Sequence, residues 1–514
     1  MSIHIQTHSS DTVVLTAQHG ENLARTIFMG GLWQGVPLCS GLGKCGLCAV
    51  RFVKDAPDTT VDEVKKLGKE AIALGWRLAC LHPSQPCTIE LPEPIRSPRV
   101  ARTIATTTGD YAVAIDLGTT SIHWTVLIND HPVASGQELN PQTGLGADVM
   151  SRLAVARTPE GRTILRDLIL DRLIELLASM TKTHQGRCTA LTISGNTAMA
   201  YILLGLAPDG LASAPYRLSY TGGDEQLLAP ELPPTYIPPL LAPFVGADLS
   251  AGLTALEDAS HAEPPFLLAD LGTNGEFILT LSPHTRYCAS VPMGPALEGV
   301  GLSFGRMAGP GTITRFTLTP HGLSIHALDG TAPPTGITGT GYLSLVALLR
   351  THGVISETGQ FDTGTTPLAA RLARNVTTRH GEPTFIINES LYLPASDIEE
   401  ILKVKAAFNL AMSTLLDAAQ FGPADLKQIF IAGALGEHVS LKDLETLGFL
   451  PPGCASKTIK AGNTSLQGTE QLTTDSQARY FAESLPDTIH PLDLTGDTDF
   501  GDKFIQRMRF SYVD

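Results

Sequence analysis

Four cysteines carry the most legible chemistry in this chain. Cys39, Cys45 and Cys48 lie in the run Cys39-Ser-Gly-Leu-Gly-Lys-Cys45-Gly-Leu-Cys48, and Cys80 follows after 31 residues in Trp-Arg-Leu-Ala-Cys80. Three thiolates from one loop and a fourth from a distant segment give two irons four ligands, the ligation of a [2Fe–2S] cluster. Glycines at 41, 43 and 46 let the loop wrap closely and aim backbone N–H groups at sulfur. A structural zinc site is the competing reading. Zinc knuckles usually pair two close Cys-x-x-Cys units, however, and only one such pair is present. Cys87, Cys188, Cys288 and Cys454 have no such spacing and read as buried apolar residues.

The elements that must hold these thiols follow from period-two patterning and turn residues. Residues 2–7 and 11–16 read as a β-hairpin, 21–29 as a short helix, and 48–53 and 87–91 as strands. That order predicts an α+β β-grasp domain over residues 1–94. Its cysteine spacing resembles the adrenodoxin-like branch of the plant-type ferredoxins. Residues 95–110 lack periodicity and read as a linker, a tether on which an electron-transfer domain can swing.

A second constellation begins at Tyr111. An apolar strand ends in Asp116-Leu-Gly118-Thr119-Thr120, and the same design recurs at Asp270-Leu-Gly272-Thr273-Asn274-Gly275. Each copy puts a carboxylate at a strand end with a Gly-Thr turn after it, so that N–H and hydroxyl groups converge on an anion. The aspartates repel phosphate themselves; their use is to hold Mg2+ through water, which bridges the phosphates of ATP. Two such halves predict an internal duplication, with lobes over residues 111–262 and 263–514 and a cleft between them. A helical stretch from Asp397 to Gln420 leads to an apolar strand and the turn Gly433-Ala434-Leu-Gly436, where glycines admit close approach of an adenine or ribose.

The chain has 514 residues, more than one core accommodates. Its net charge of −15 argues against nucleic acid and anionic membrane as partners, since both need basic surface. The first residues show neither a charged n-region nor an apolar h-region, and the cysteines suit a reducing compartment, so a cytoplasmic protein without membrane spans is expected.

The three turns, in this order, resemble the phosphate and adenosine motifs of the acetate kinase/sugar kinase/Hsp70/actin superfamily, whose lobes have an RNase H-like α/β fold. Joined to an N-terminal cluster domain, they look like the reductive activators of corrinoid proteins. Further strings share that likeness: Gly195-Asn-Thr-Ala-Met199, Pro243-Phe-Val-Gly-Ala-Asp248, Met293-Gly-Pro-Ala-Leu-Glu-Gly299, Gly336-Ile-Thr-Gly339-Thr-Gly341 and Gly462-Asn-Thr-Ser-Leu-Gln-Gly468. The resemblance implies ATP-dependent reduction of a Co(II) corrinoid protein to Co(I), an electron donor for the cluster, and a dimer as one assembly state. Two departures stand out. About fifteen residues occupy the place where many relatives carry an extra module, and Thr338 replaces the family's usual cysteine.

Within that resemblance Asp248 takes the position of a base that orients water, with a helix cap as its plainer alternative. Lys405 lies on a helix that in the superfamily often faces nucleotide. Asn196 and Glu298 sit in glycine-flanked turns without an assigned role. Two other readings stay open: a small-molecule kinase regulated by its cluster domain, and an activator of a low-potential reductase or dehydratase.

Overall fold

The structure, a computed structural model, describes the chain apart from residues 10, 259–261, 299–300, 321, 331–333, 335, 365, 434–437, 495 and 497. The N-terminal unit is a five-stranded mixed sheet. Ser2–Gln6 pairs antiparallel with Thr12–Thr16 and parallel with Cys87–Glu90, which pairs in turn with Ala49–Phe52, and Trp76–Leu78 closes the edge. Alternation on Ser2–Gln6 sends Ile3 and Ile5 inward to a core with Ile27, Val50 and Ile89. Helix Leu23–Met29 begins where the Asn22 side chain accepts from the Arg25 N–H. A second helix, Val61–Ala73, opens on a capping box of Thr60 and Glu63. The sequence reading did not mark this helix; Gly68, with φ of 82°, interrupts it midway.

The expected tether is pinned. Val100–Thr103 pairs antiparallel with His131–Leu139 at the edge of the next sheet, and the Ser97 N–H donates to Gly35 O. The four strand residues are exposed, so they carry no apolar signature; backbone pairing alone places them.

The predicted duplication is visible in the sheets. Tyr111–Leu117 lies between antiparallel Ser121–Ile128 and parallel Cys188–Ser194. Phe266–Leu271 lies likewise between antiparallel Asn274–Ser282 and parallel Gln428–Ala432. Their near-continuous apolar sequences suit strands buried on both faces. Helix Thr464–Thr474, though late in the chain, packs on helix Ala247–Asp258 and on Tyr111–Leu117, and so joins the lobes. One apolar cluster runs without a break from the N-terminal unit into the first lobe, through residues such as Phe28 and Leu145. No helix among the described residues is long and apolar enough to cross a membrane.

Candidate functional site

The four cysteines enclose one cavity of about 170 Å3. Cys39, Cys48 and Cys80 are buried and Cys45 is half-buried. They fall into two pairs: Cys39 lies within hydrogen-bonding reach of Cys45, and Cys48 within reach of Cys80. Among the described residues no three His, Cys, Asp or Glu groups close on a single ion site. Four thiols around one cavity are what two irons require. Gly41, Gly43 and Gly46 all have positive φ, as the tight wrap demands. The Leu47 N–H donates to Cys45 Sγ at 3.4 Å, so the loop does aim backbone dipoles at sulfur. The hydrogen bond from Cys45, with backbone N–H groups of the loop, holds the Cys39 thiol down at about 5 despite burial.

The phosphate turns face each other across a cleft of about 340 Å3. Asp116, Gly118, Thr119 and Thr120 line one side, and Asp270, Gly272, Thr273 and Asn274 the other. Thr120 Oγ1 meets Thr273 Oγ1 at 3.2 Å, and Thr273 donates to Glu298 Oε1 at 3.0 Å. Asn196, capping helix Thr197–Leu204, donates to Thr119 Oγ1 at 2.8 Å, which gives that residue a role. Asp116 is held from the far end of the chain, by Asn463 Nδ2 and Ser465 Oγ, each at 2.8 Å.

Asp248 stands in the first turn of helix Ala247–Asp258 and lines the cleft, with Oδ1 accepting from the Leu249 N–H at 2.9 Å. Burial, and then the charge of Asp116, push its carboxyl up to about 7. Glu276 is its hydrogen-bonding neighbour, and burial and the surrounding acids push that carboxyl up as well. Pairing register puts Glu276 directly across from Asp270, a signal available in the hairpin pattern but unused there. Burial likewise raises Asp270 and Glu298. Glu276 Oε1 and Glu298 Oε2 are buried without a hydrogen-bond partner. These two orphaned oxygens do not make a closed ion site among the described residues, but they are ligands of the kind a hydrated Mg2+ takes beside phosphates.

Two expectations, for Lys405 and Gly275, are corrected. Lys405 is fully buried away from the cleft, where its Nζ donates to the carbonyls of Arg507 and Ser511. Helix Ala395–Ala419 is buried all round at that point, so no face was free for nucleotide. Gly275 is absent from the cleft wall; a Cβ there would sit 2.6 Å from Met293 Sδ, so packing demands the glycine. Gly433 does line the cleft, but a Cβ on it would fall 2.6 Å from Asp270 Oδ1, so it makes room for that carboxylate. Ala434 and Gly436 lie outside the described residues, as does Gly299 of the Met293 string. Thr338, in place of the family's cysteine, caps helix Gly339–Thr351.

Family models for the RACo middle region and for the C-terminal domain of RACo, the ASKHA domain, match residues 111–258 and 265–514. The corrinoid activation enzyme RamQ of Eubacterium limosum is 27% identical over 427 residues, 78% of this chain and 70% of that protein. A Co(II) methylated amine-specific corrinoid protein reductase of Methanosarcina barkeri is 28% identical over 251 residues, 45% of this chain and 42% of that protein. The solved structure of a reductive activator for corrinoid, iron-sulfur protein covers 100% of this chain and 99% of its own, with TM-score 0.69 and 22% identity. That match shows a shared overall fold.

Proposed function

This chain belongs to the RACo family of reductive activators of corrinoid proteins, and we propose that it reduces an inactive Co(II) corrinoid protein to Co(I) in an ATP-dependent step. In this reading residues 1–94 are a β-grasp ferredoxin domain, and Cys39, Cys45, Cys48 and Cys80 hold a [2Fe–2S] cluster. The observation that carries it is the four cysteines around one cavity in the same chain as a cleft lined by both phosphate turns. When bound, the cluster supplies a one-electron carrier, at about −400 mV or above for a plant-type centre. Asp116 and Asp270 would hold Mg2+ through water, and the ion would supply positive charge to the phosphates.

The protein's own residues do the rest. The turns at Gly118–Thr120 and Gly272–Asn274 bind phosphate oxygens through N–H and hydroxyl donors. Asn463 and Ser465 orient Asp116. Asp248 positions a water at the terminal phosphate and takes its proton at the carboxylate. Closure of the lobes on ATP would be passed to the docked corrinoid protein and would make its Co(II) easier to reduce. For one electron, each shift of about 59 mV corresponds to about 1.4 kcal/mol, within reach of nucleotide binding and hydrolysis.

The test is anaerobic. The protein, with its cluster reduced by a chemical donor, is mixed with a Co(II) corrinoid protein from the same genome, and the visible spectrum is followed with and without Mg-ATP. Growth of Co(I) only with Mg-ATP is the expected result. Equal growth without nucleotide sinks the proposal. ATP turnover with a phosphorylated small acceptor and no cobalt change points instead to a redox-regulated kinase.

A further inference from the structure

The cysteine loop and the first phosphate turn share one support. Segment 140–146 follows strand His131–Leu139 and leads to helix Val149–Ala156. At its start Asn140 Nδ2 donates to Gly118 O at 2.8 Å, and the Asn140 N–H donates to Thr120 O at 2.9 Å. Arg152, fully buried, donates from Nη2 to Thr119 O, from Nη1 to Gln142 Oε1 at 3.0 Å, and from Nε to Gly146 O at 2.9 Å. Three successive carbonyls of the phosphate turn are therefore held by this segment and its arginine. A buried guanidinium tolerates its desolvation only while those acceptors stay in place, so the segment is stiff.

The other face of the segment closes the cysteine cavity. Gly144 and Leu145 line it, and Ser40, next to Cys39, donates to Thr143 O at 2.5 Å. A Cβ on Gly144 would lie 2.1 Å from the Phe28 ring, so the N-terminal unit is seated here without slack. The second lobe holds the same unit: Lys44 Nζ meets Glu400 Oε1 at 3.0 Å, and Lys66 Nζ donates to Ser303 O at 2.9 Å. The N-terminal unit that carries the cysteine loop is thus in contact with both lobes.

We propose that segment 140–146 couples nucleotide occupancy at Gly118–Thr120 to the redox state of the group held by the four cysteines. Nucleotide then lowers its midpoint potential, and reduction weakens nucleotide binding by the same factor. This rests on the reading that the cysteines hold a [2Fe–2S] cluster and the cleft takes ATP. The sign follows from charge: polyphosphate and the added electron are both negative, and each disfavours the other. The means is the cavity wall, whose dipoles and solvent access help set a cluster's potential.

The experiment needs no cobalt. The cluster is titrated optically against a viologen mediator, one electron per cluster, with and without Mg-AMPPNP, and the Kd of the nucleotide is measured on oxidised and reduced protein. The expected result is about a tenfold weaker Kd on reduction, matched by a fall of about 59 mV in midpoint. Asn140→Ala and Ser40→Ala, one at each end of the segment, should each shrink both effects while leaving cluster content unchanged. Protein that holds a cluster and binds nucleotide but shows no shift overturns the coupling. A full shift in both variants overturns the role of the segment. Absence of a cluster, or of nucleotide binding, would instead remove the functional reading on which the coupling stands.

Discussion

Thr120 and Thr273, one from each phosphate turn, touch hydroxyl to hydroxyl at 3.2 Å across 153 residues of chain. The contact brings the two lobes together at the point where phosphate would enter, and Thr273 passes it on to Glu298. Thr273→Ala removes a hydroxyl from the anion's path, the one that also holds Glu298 Oε1. It should raise the Kd for Mg-ATP about tenfold, about 1.4 kcal/mol. Titration calorimetry that finds an unchanged Kd would place the phosphates elsewhere.

Asp248, raised to about 7, is the candidate proton acceptor. Since the base form is the ionised one, ATP hydrolysis should climb as pH rises through about 7. Asp248→Asn should lose this limb and about 10²–10⁴ in rate, with nucleotide affinity little changed. A variant that hydrolyses ATP normally would reduce Asp248 to a helix-turn residue.

The acids of the cleft predict how stability changes with pH. Asp248, Asp270, Glu276 and Glu298 have folded-state pKa values above their unfolded ones. The folded form thus binds more protons than the unfolded form, and stability falls as pH climbs from about 4 towards 7 for Asp248. Mg2+ with nucleotide should offset the repulsion, so its gain in Tm should be larger at pH 7.5 than at pH 5.5. Equal gains measured by calorimetry would mean that the cation binds away from these acids.

Cysteine replacements separate ligands from bystanders. Cys39→Ser, Cys45→Ser, Cys48→Ser and Cys80→Ser should each lose most iron and the visible absorbance. Cys87→Ser, whose thiol burial pushes up to about 11 and which lies outside the cavity, should keep both. Iron assay alongside the absorption spectrum decides this, and full iron in any of the first four would break the ligand set.

Lys405 offers the opposite kind of test. Because its Nζ lies on the carbonyls of the C-terminal segment, Lys405→Met should leave the Kd for Mg-ATP within about twofold, under about 0.5 kcal/mol. A large loss of affinity would return the residue to the nucleotide.

The sequence alone determined what depends on neighbours along the chain. Cys39, Cys45 and Cys48 share one loop, and a strand-end Asp with a Gly-Thr turn presents its donors as soon as the hairpin forms, so the spacing implies the geometry. The two matching Asp-Gly-Thr hairpins were legible for the same reason. Only the tertiary structure decided contacts between distant residues. Asn463 and Ser465 reach Asp116 across about 350 residues, Glu276 leans on Asp248, and Arg152 finds one of its acceptors, Thr119 O, on a turn that precedes it by 33 residues. Periodicity says which residues share a face, never what that face meets. On a helix buried all round, such as Ala395–Ala419, it does not distinguish even the face. The exposed strand Val100–Thr103 was hidden for a related reason: its place is set by backbone hydrogen bonds, which any side chain permits.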